Sequence, residues 1–137
     1  MEPVKVFLDT NIVLDYFTGR IGNDNAKTIV LSGLDPRIDL CISILTAMNV
    51  LYVSGKYTLS LRPSDISELF SILPIDSLQY DEAQSLSLKD FEDSLQIVCA
   101  RNNGCRAIIS RDKHILEFGI RFPVILSPEE YLRKIAL

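Results

Sequence analysis

The 137-residue sequence lacks an apolar run long enough to cross a membrane, and it lacks the charged-then-apolar start of a signal peptide. We therefore expect a cytoplasmic protein that does not contact a membrane. The sequence also lacks an excess of basic residues, since 14 lysines and arginines stand against 18 aspartates and glutamates, a net charge of −4. This balance disfavours adhesion to nucleic acid over the whole surface. It does not exclude an enzyme acting on nucleic acid, because cations held by clustered acids reverse the local field.

Cysteine is scarce, and internal repeats and low-complexity segments are missing. The cysteines, Cys41, Cys99 and Cys105, are odd in number and have spacings that match no zinc site. We expect them to be reduced and buried as small apolar side chains. With 47% apolar residues and no linker-like stretch, the sequence predicts one domain over residues 1–137.

Short apolar strands alternate with helical patterns along the chain. The predicted strands cover 4–8, 37–42, 106–110 and 124–126, residues 74–78 are predicted as a short strand or a strand-like link, and a turn is predicted over 19–25. Helical spacing or start signals predict helices over 12–17, 26–34, 44–56, 63–73, 81–88, 90–103, 114–118 and from 127 onward. This alternation predicts an α/β fold with a parallel sheet of four to five strands and helices on both faces.

Four aspartates occupy positions from which they can meet. Asp9 and Asp112 each follow a predicted strand, while Asp90 and Asp93 share one face of the start of a helix that is apolar on several sides. If they converge, their repulsion requires protonation or a cation, and carboxylates suit Mg²⁺ or Mn²⁺. Such a site can activate water against a phosphodiester. Helix capping, or a turn at Asp112, explains each acid alone, and both roles are compatible with metal binding.

Asn49 lies in the apolar helical segment 44–53, where its amide must find hydrogen-bond partners. A core or interhelical amide is one interpretation, and a role beside the aspartates is the other.

Four segments in order resemble the PIN domain family: 6–12 (VFLDTNI), 43–46 (SILT), 90–96 (DFEDSLQ) and 108–112 (IISRD). The resemblance covers nearly the whole chain. It implies a Rossmann-like fold with a central parallel sheet and a metal-dependent ribonuclease activity. Many members are toxins of VapC-type toxin–antitoxin pairs, and chains of this length are typical of them.

The resemblance also assigns residues to a Mg²⁺ or Mn²⁺ site. It makes Asp9, Asp93 and Asp112 the catalytic metal-binding acids, with Asp90 as a neighbouring metal-binding acid. Supporting roles fall to Thr10, Asn11 and Ser110. The family's remaining acid, a glutamate three residues after the threonine, is replaced here by Asn49. A neutral amide can still bind a metal, directly or through water, but we expect weaker affinity. The expected reaction is hydrolysis by a metal-activated water.

Basic residues near these segments are candidates for RNA contacts: Arg101, Arg111 and Lys113. Each is equally explained as a solvated surface charge. His114, the single histidine, is expected to have a surface or helix-cap role rather than to act as a base.

Other classes of function remain open. A PIN-like module whose site has decayed, binding RNA or protein without cleavage, is the alternative that Asn49 supports. An aspartyl-phosphate fold is disfavoured, because no second aspartate follows Asp9 by two residues. The resemblance implies an antitoxin protein and a homodimer as partners. Leu14, Tyr16 and Phe17 are candidate interface residues, although core packing would use them equally well.

Overall fold

The computed structural model describes residues 2–20, 23–57 and 60–135. Its centre is a five-stranded sheet in the order β3-β2-β1-β4-β5, in which every neighbouring pair is parallel. The strands are β1 (Val4–Leu8), β2 (Ile38–Ser43), β3 (Ser71–Leu73), β4 (Ala107–Ile109) and β5 (Val124–Leu126). The predicted α/β fold with a parallel sheet is confirmed.

Helices cover both faces of the sheet. They are α1 (Thr10–Thr18), α2 (Asn23–Ser32), α3 (Ile44–Lys56), α4 (Pro63–Ser67), α5 (Ser77–Ala83), α6 (Phe91–Asn102), α7 (Lys113–Leu116) and α8 (Pro128–Ile135). Alternate strand residues enter different core clusters: Val6 and Leu8 pack with α1, α2 and α3, whereas Phe7 packs with α6. This alternation follows from the two-residue period of a strand, and it buries the central strand on both sides. In the part of the chain that is described, no helix is long and apolar enough to span a membrane.

The three cysteines are buried and unpaired, as predicted, and all belong to the core cluster around Phe7 and α6. Burial raises the pKa of the Cys99 thiol to about 12, so this side chain behaves as a small apolar group.

The segment around β3 differs from the sequence prediction. The helix predicted over 63–73 ends at Ser67, and Ser71–Leu73 forms the third strand by pairing with β2. A strand over 74–78 is therefore wrong, whereas the alternative of a link fits residues 74–76, and α5 begins at Ser77 with Asp76 as its cap. A short segment such as Ser71–Leu73, with two apolar residues, fits helical and strand spacing equally well, so only pairing with β2 decides its conformation.

The other boundaries move by a few residues. Helix α2 begins at Asn23, inside the turn predicted over 19–25, and residues 21 and 22 of that turn lie outside the described residues. Gly19 ends α1 with a left-handed φ of 68° and donates its N–H to the Asp15 carbonyl. Glycine suits this position because it lacks the Cβ that disfavours positive φ.

The sheet order determines where a site can form. β1 lies between β2 and β4, and the carboxyl ends of these parallel strands meet at one edge of the sheet. The Asp9 N–H donates to the Ile109 carbonyl at 2.9 Å, which joins the residue after β1 to the end of β4. In open parallel sheets, ligands bind in the crevice at this edge.

Candidate active site

Asp9 is the buried centre of the carboxyl edge, with only 4% of its surface exposed. It caps α1: Oδ1 accepts the Thr10 backbone N–H at 2.9 Å. Oδ2 accepts the Asn11 amide at 3.1 Å and the Ser110 hydroxyl at 2.8 Å. Burial raises the Asp9 pKa, while the hydrogen bonds from Ser110 and Thr10 act in the opposite direction. The Asp9 side chain therefore caps α1 and also carries a carboxyl group whose ionised form is disfavoured by burial.

Asp112 joins Asp9 through Ser110. The Ser110 hydroxyl donates to Asp9 and accepts the Asp112 backbone N–H at 3.0 Å. Asp112 in turn caps α7, its Oδ1 accepting the N–H groups of His114 at 2.8 Å and Ile115 at 3.4 Å. The order strand, serine, aspartate and short helix thus brings a second carboxylate to the Asp9 site.

Asp90 and Asp93 approach from the start of α6. Asp90 caps the helix, its Oδ1 accepting the Glu92 N–H at 2.8 Å. The pKa of Asp93 is raised to about 7, first by burial and then by the charges of Asp90, Asp9, Asp112 and Glu92. The structure therefore brings together the four aspartates singled out from the sequence, and it adds Glu92 at their border.

The donors of this cluster fit a hard divalent cation. Carboxylate oxygens suit Mg²⁺ or Mn²⁺, and the neighbouring charges of Asp90, Asp9 and Asp112 add to burial in raising the pKa of Asp93. Asn11 Oδ1 is a buried acceptor without a hydrogen-bond partner among the described residues, beside the amide nitrogen that holds Asp9. Across residues 2–20, 23–57 and 60–135, no three acidic, histidine or cysteine side chains already surround one ion position. The aspartates thus lie near one another without forming a preformed set of ligands around one ion position.

A buried network that the sequence reasoning missed supports the site. Gln96, only 1% exposed, accepts the Ser43 hydroxyl at 2.6 Å and directs Nε2 toward Thr46 at 2.7 Å and Thr10 at 2.9 Å. Nε2 also makes a long 3.5 Å contact with Asp9 Oδ1. The signal was available, because an amide in an apolar helical stretch must find partners. We call Gln96, Ser43, Thr46 and Thr10 the amide–hydroxyl network.

Asn49 contacts α6 rather than the aspartates. It is half-buried and donates its Nδ2 to Glu92 Oε1 at 2.7 Å. Within the described residues, no hydrogen bond joins its side chain to Asp9, Asp93 or Asp112. It lies one helical turn after Thr46, and Glu92 one turn before Gln96, so the pair flanks the amide–hydroxyl network.

The predicted RNA-contact residues are engaged elsewhere. Arg111 makes two bonds of 2.6 and 2.8 Å to Asp15, which is 1% exposed and also accepts from Arg20. A buried carboxylate needs such a cation, and no pattern in the sequence indicates that Asp15, in the helical segment after Asp9, is buried.

The other two basic candidates do not reach the aspartates either. Arg101 pairs with Glu82 at 3.0 Å, about 12 Å along α6 from Asp93. Lys113 is exposed and lies 3.9 Å from Glu117. The structure thus leaves none of the three basic candidates directed at the aspartates.

The metal-free protein should lose stability as pH rises from about 4 to 8. The Asp93 pKa of about 7 lies above its ordinary value of 3.8, so between these values the folded state binds a proton that the unfolded state releases. Stability from this group is complete below pH 4 and is lost as pH rises through 7. Melting temperatures in EDTA should show this fall for the wild type, and Asp93→Asn should flatten it. An equal fall in both proteins would contradict the assignment.

Two comparisons of the sequence with known proteins point to one family. The PIN domain profile matches residues 5–114. Ribonuclease VapC1 of Aquifex aeolicus (strain VF5) is 31% identical over 143 residues, covering 98% of this chain and 97% of that protein.

Two solved structures are similar in fold. The toxin–antitoxin complex from Klebsiella pneumoniae superposes with a TM-score of 0.70 at 24% identity, over 90% of this chain and 97% of that one. Mycobacterium tuberculosis VapC20, described as a sarcin–ricin loop cleaving toxin, superposes with a TM-score of 0.65 at 13% identity, over 85% of this chain and 96% of that one. The full-length relative and the profile match together show that the chain belongs to the PIN domain family.

Proposed function

We propose that the protein is a Mg²⁺- or Mn²⁺-dependent endoribonuclease of the toxin type. The observation that carries this proposal is the placement of Asp9, Asp93 and Asp112: Ser110 joins Asp9 to Asp112 by two hydrogen bonds, and Asp93 lines one cavity with Asp112. Burial and neighbouring acids raise the pKa of Asp9 and Asp93 in addition. The similarity to Ribonuclease VapC1 over almost the whole chain supports RNA as the substrate.

The site residues have different roles in the proposed hydrolysis. Asp9, Asp93 and Asp112 would hold the cation, with Asp90 beside them. A Mg²⁺ or Mn²⁺ ion held by these residues would supply a water of lowered pKa and positive charge opposite the scissile phosphate. Ser110 and Asn11 fix the orientation of Asp9 Oδ2, since both donate to it. The amide–hydroxyl network fixes the start of α1, because Gln96 and Thr46 hold the Thr10 hydroxyl.

An antitoxin protein, a homodimer and a cytoplasmic location belong to the same proposal. The structural similarity to a toxin–antitoxin complex supports the first of these. Leu14 is buried and belongs to the core, so it is not an interface residue. Tyr16 and Phe17 remain candidates, since both are half-buried and line a cavity beside Leu31, which is 61% exposed.

A direct assay separates this proposal from its alternative, a module that binds RNA without cleaving it. End-labelled RNA is incubated with the protein in Mn²⁺, in Mg²⁺ and in EDTA. We expect discrete fragments with either metal and none in EDTA. Retained RNA binding without fragments under any condition would favour the module, which Asn49 supports because it supplies no charge where the family has a glutamate.

Asn49→Glu should tighten Mn²⁺ binding by roughly tenfold, the lower end of effects seen for groups near a metal. The introduced carboxylate would lie beside the carboxylate of Glu92. Because like charges repel, the substitution should also lower the free energy of unfolding when no metal is present. Asn102→Glu is a matched control, because Asn102 makes a similar bond of 2.9 Å to Glu82 away from the site. Calorimetry should show the gain for Asn49→Glu alone. Unchanged Mn²⁺ affinity would place Asn49 outside the reach of the metal.

A further inference from the structure

A cavity of about 360 Å³ opens directly beside the aspartates. Its lining includes the carboxylates of Asp90, Asp93 and Asp112 together with the apolar side chains of Leu88 and Phe118. Its volume lies within the range of small-ligand sites. The cavity thus shares three acids with the proposed site of hydrolysis, and its lining combines carboxylate with apolar side chains.

Metal binding does not explain the apolar part of the lining. Leu88 and Phe118 are half-buried: each packs on the core cluster around Phe7 and α6, and each also lines the cavity. A cation gains nothing from an aliphatic and an aromatic side chain at this place. An unpaired nucleobase does, because its flat face stacks on aromatic and apolar groups.

A cationic side chain lines the same space. Lys89 is exposed and contributes to the cavity lining beside the carboxylates, as do the imidazole of His114 and the carboxylate of Glu117. A positive group next to an acid cluster suits a strand that carries both a base and a phosphate.

We propose that this cavity binds one unpaired nucleobase of the RNA, next to the phosphate held at the aspartates. The inference rests on the proposed function, which supplies the phosphate. It specifies how the RNA is held: one base is turned out of the stack and enters the cavity. A base inside a duplex cannot enter a side cavity without unstacking.

Phe118 provides the test. Binding is measured by fluorescence anisotropy with the four aspartates intact and Ca²⁺, another cation that prefers oxygen ligands, in place of Mg²⁺, under conditions in which gels show no cleavage of the probe. The probes are a labelled eight-nucleotide single-stranded RNA containing all four bases and an abasic ribose-phosphate oligomer of equal length. Phe118→Leu keeps an apolar side chain on the core, Phe118→Tyr keeps the aromatic face, and Phe118→Ala removes both.

Phe118→Ala and Phe118→Leu should weaken binding of the base-containing RNA by roughly 5- to 100-fold, the usual effect of losing one stacked base. Phe118→Tyr should bind as the parent does, and no variant should change affinity for the abasic oligomer. Phe122→Leu is the control, because Phe122 is a 51% exposed aromatic residue that lines a different cavity. Undiminished binding by Phe118→Leu, or equal losses on both probes, would overturn the proposal.

The two proposals fail separately. Cleavage that depends on Asp9 but is indifferent to Phe118 in both rate and binding would leave the nuclease standing and refute the base site. Phe118-dependent binding by a protein that cleaves no RNA with any metal would support the base site and refute the nuclease.

Discussion

Asp9→Asn is expected to reduce metal-dependent RNA cleavage by more than about a hundredfold, since residues that merely orient metal ligands already cost 10- to 100-fold when changed. Asp9 is oriented by its neighbours: Ser110 and Asn11 donate hydrogen bonds to Oδ2, and the Thr10 backbone N–H donates to Oδ1. An amide in its place keeps the size of the side chain but removes the charge that attracts the cation. Mn²⁺ calorimetry should show a matching loss of binding.

The same substitution should barely change the stability of the metal-free protein. Burial raises the pKa of Asp9, so its ionised form is held at a cost that asparagine does not carry. We expect a change within about 1 kcal/mol in urea unfolding, because the lost hydrogen bonds offset this relief. Asp76→Asn is the matched control, since Asp76 also caps a helix, α5, but away from the cluster. Equal cleavage by Asp9→Asn and the wild type would contradict the site.

Gln96→Leu is expected to lower the free energy of unfolding by about 2–4 kcal/mol. The substitution keeps the bulk of the side chain, but it leaves the buried hydroxyls of Ser43 and Thr46, and the Thr10 hydroxyl, without their amide partner. A buried polar group left unsatisfied costs about 1–3 kcal/mol. The loss is smaller than three such costs, because Thr10 and Thr46 also bond to each other at 2.7 Å. Urea unfolding measures the effect.

Gln79→Leu provides a contrasting control. Gln79 is also buried, at 6% exposure, but its Oε1 has no hydrogen-bond partner among the described residues. Replacing it removes an unsatisfied acceptor, so we expect a loss below about 1 kcal/mol or a small gain. If both glutamine substitutions cost the same, the amide–hydroxyl network has no special role, and burial alone explains the effect.

Much of the fold followed from local patterns. Asp9, Ser43, Asp90 and Asp112 each stand at a junction where an extended segment meets a helix, and the structure uses each as a helix cap. Caps and strand-end acids are readable because the backbone N–H groups of a helix start demand an acceptor within a few residues. The parallel order of the strands then brings Asp9 and Asp112 to the same edge.

Contacts between residues distant in sequence were not readable. Arg111 and Asp15 are 96 positions apart, and Gln96 meets Thr10 across 86 positions. The residues next to Arg111 and Gln96 in the sequence do not indicate which distant residue the fold brings to each of them. The same holds for β3, whose three residues become a strand only through pairing with β2. The resemblance places Asn49 at the position of an acid, but its bond to Glu92 depends on how α3 meets α6.

A crystal structure of the protein soaked in Mn²⁺, with the anomalous signal recorded, tests the central claim most directly. We expect a manganese peak within about 2.0–2.3 Å of an Asp9 carboxylate oxygen, with Asp93 and Asp112 drawn toward it as direct or water-bridged ligands. Clear density for the aspartate side chains without a manganese peak among them, at a Mn²⁺ concentration that supports RNA cleavage in solution, would contradict the metal site.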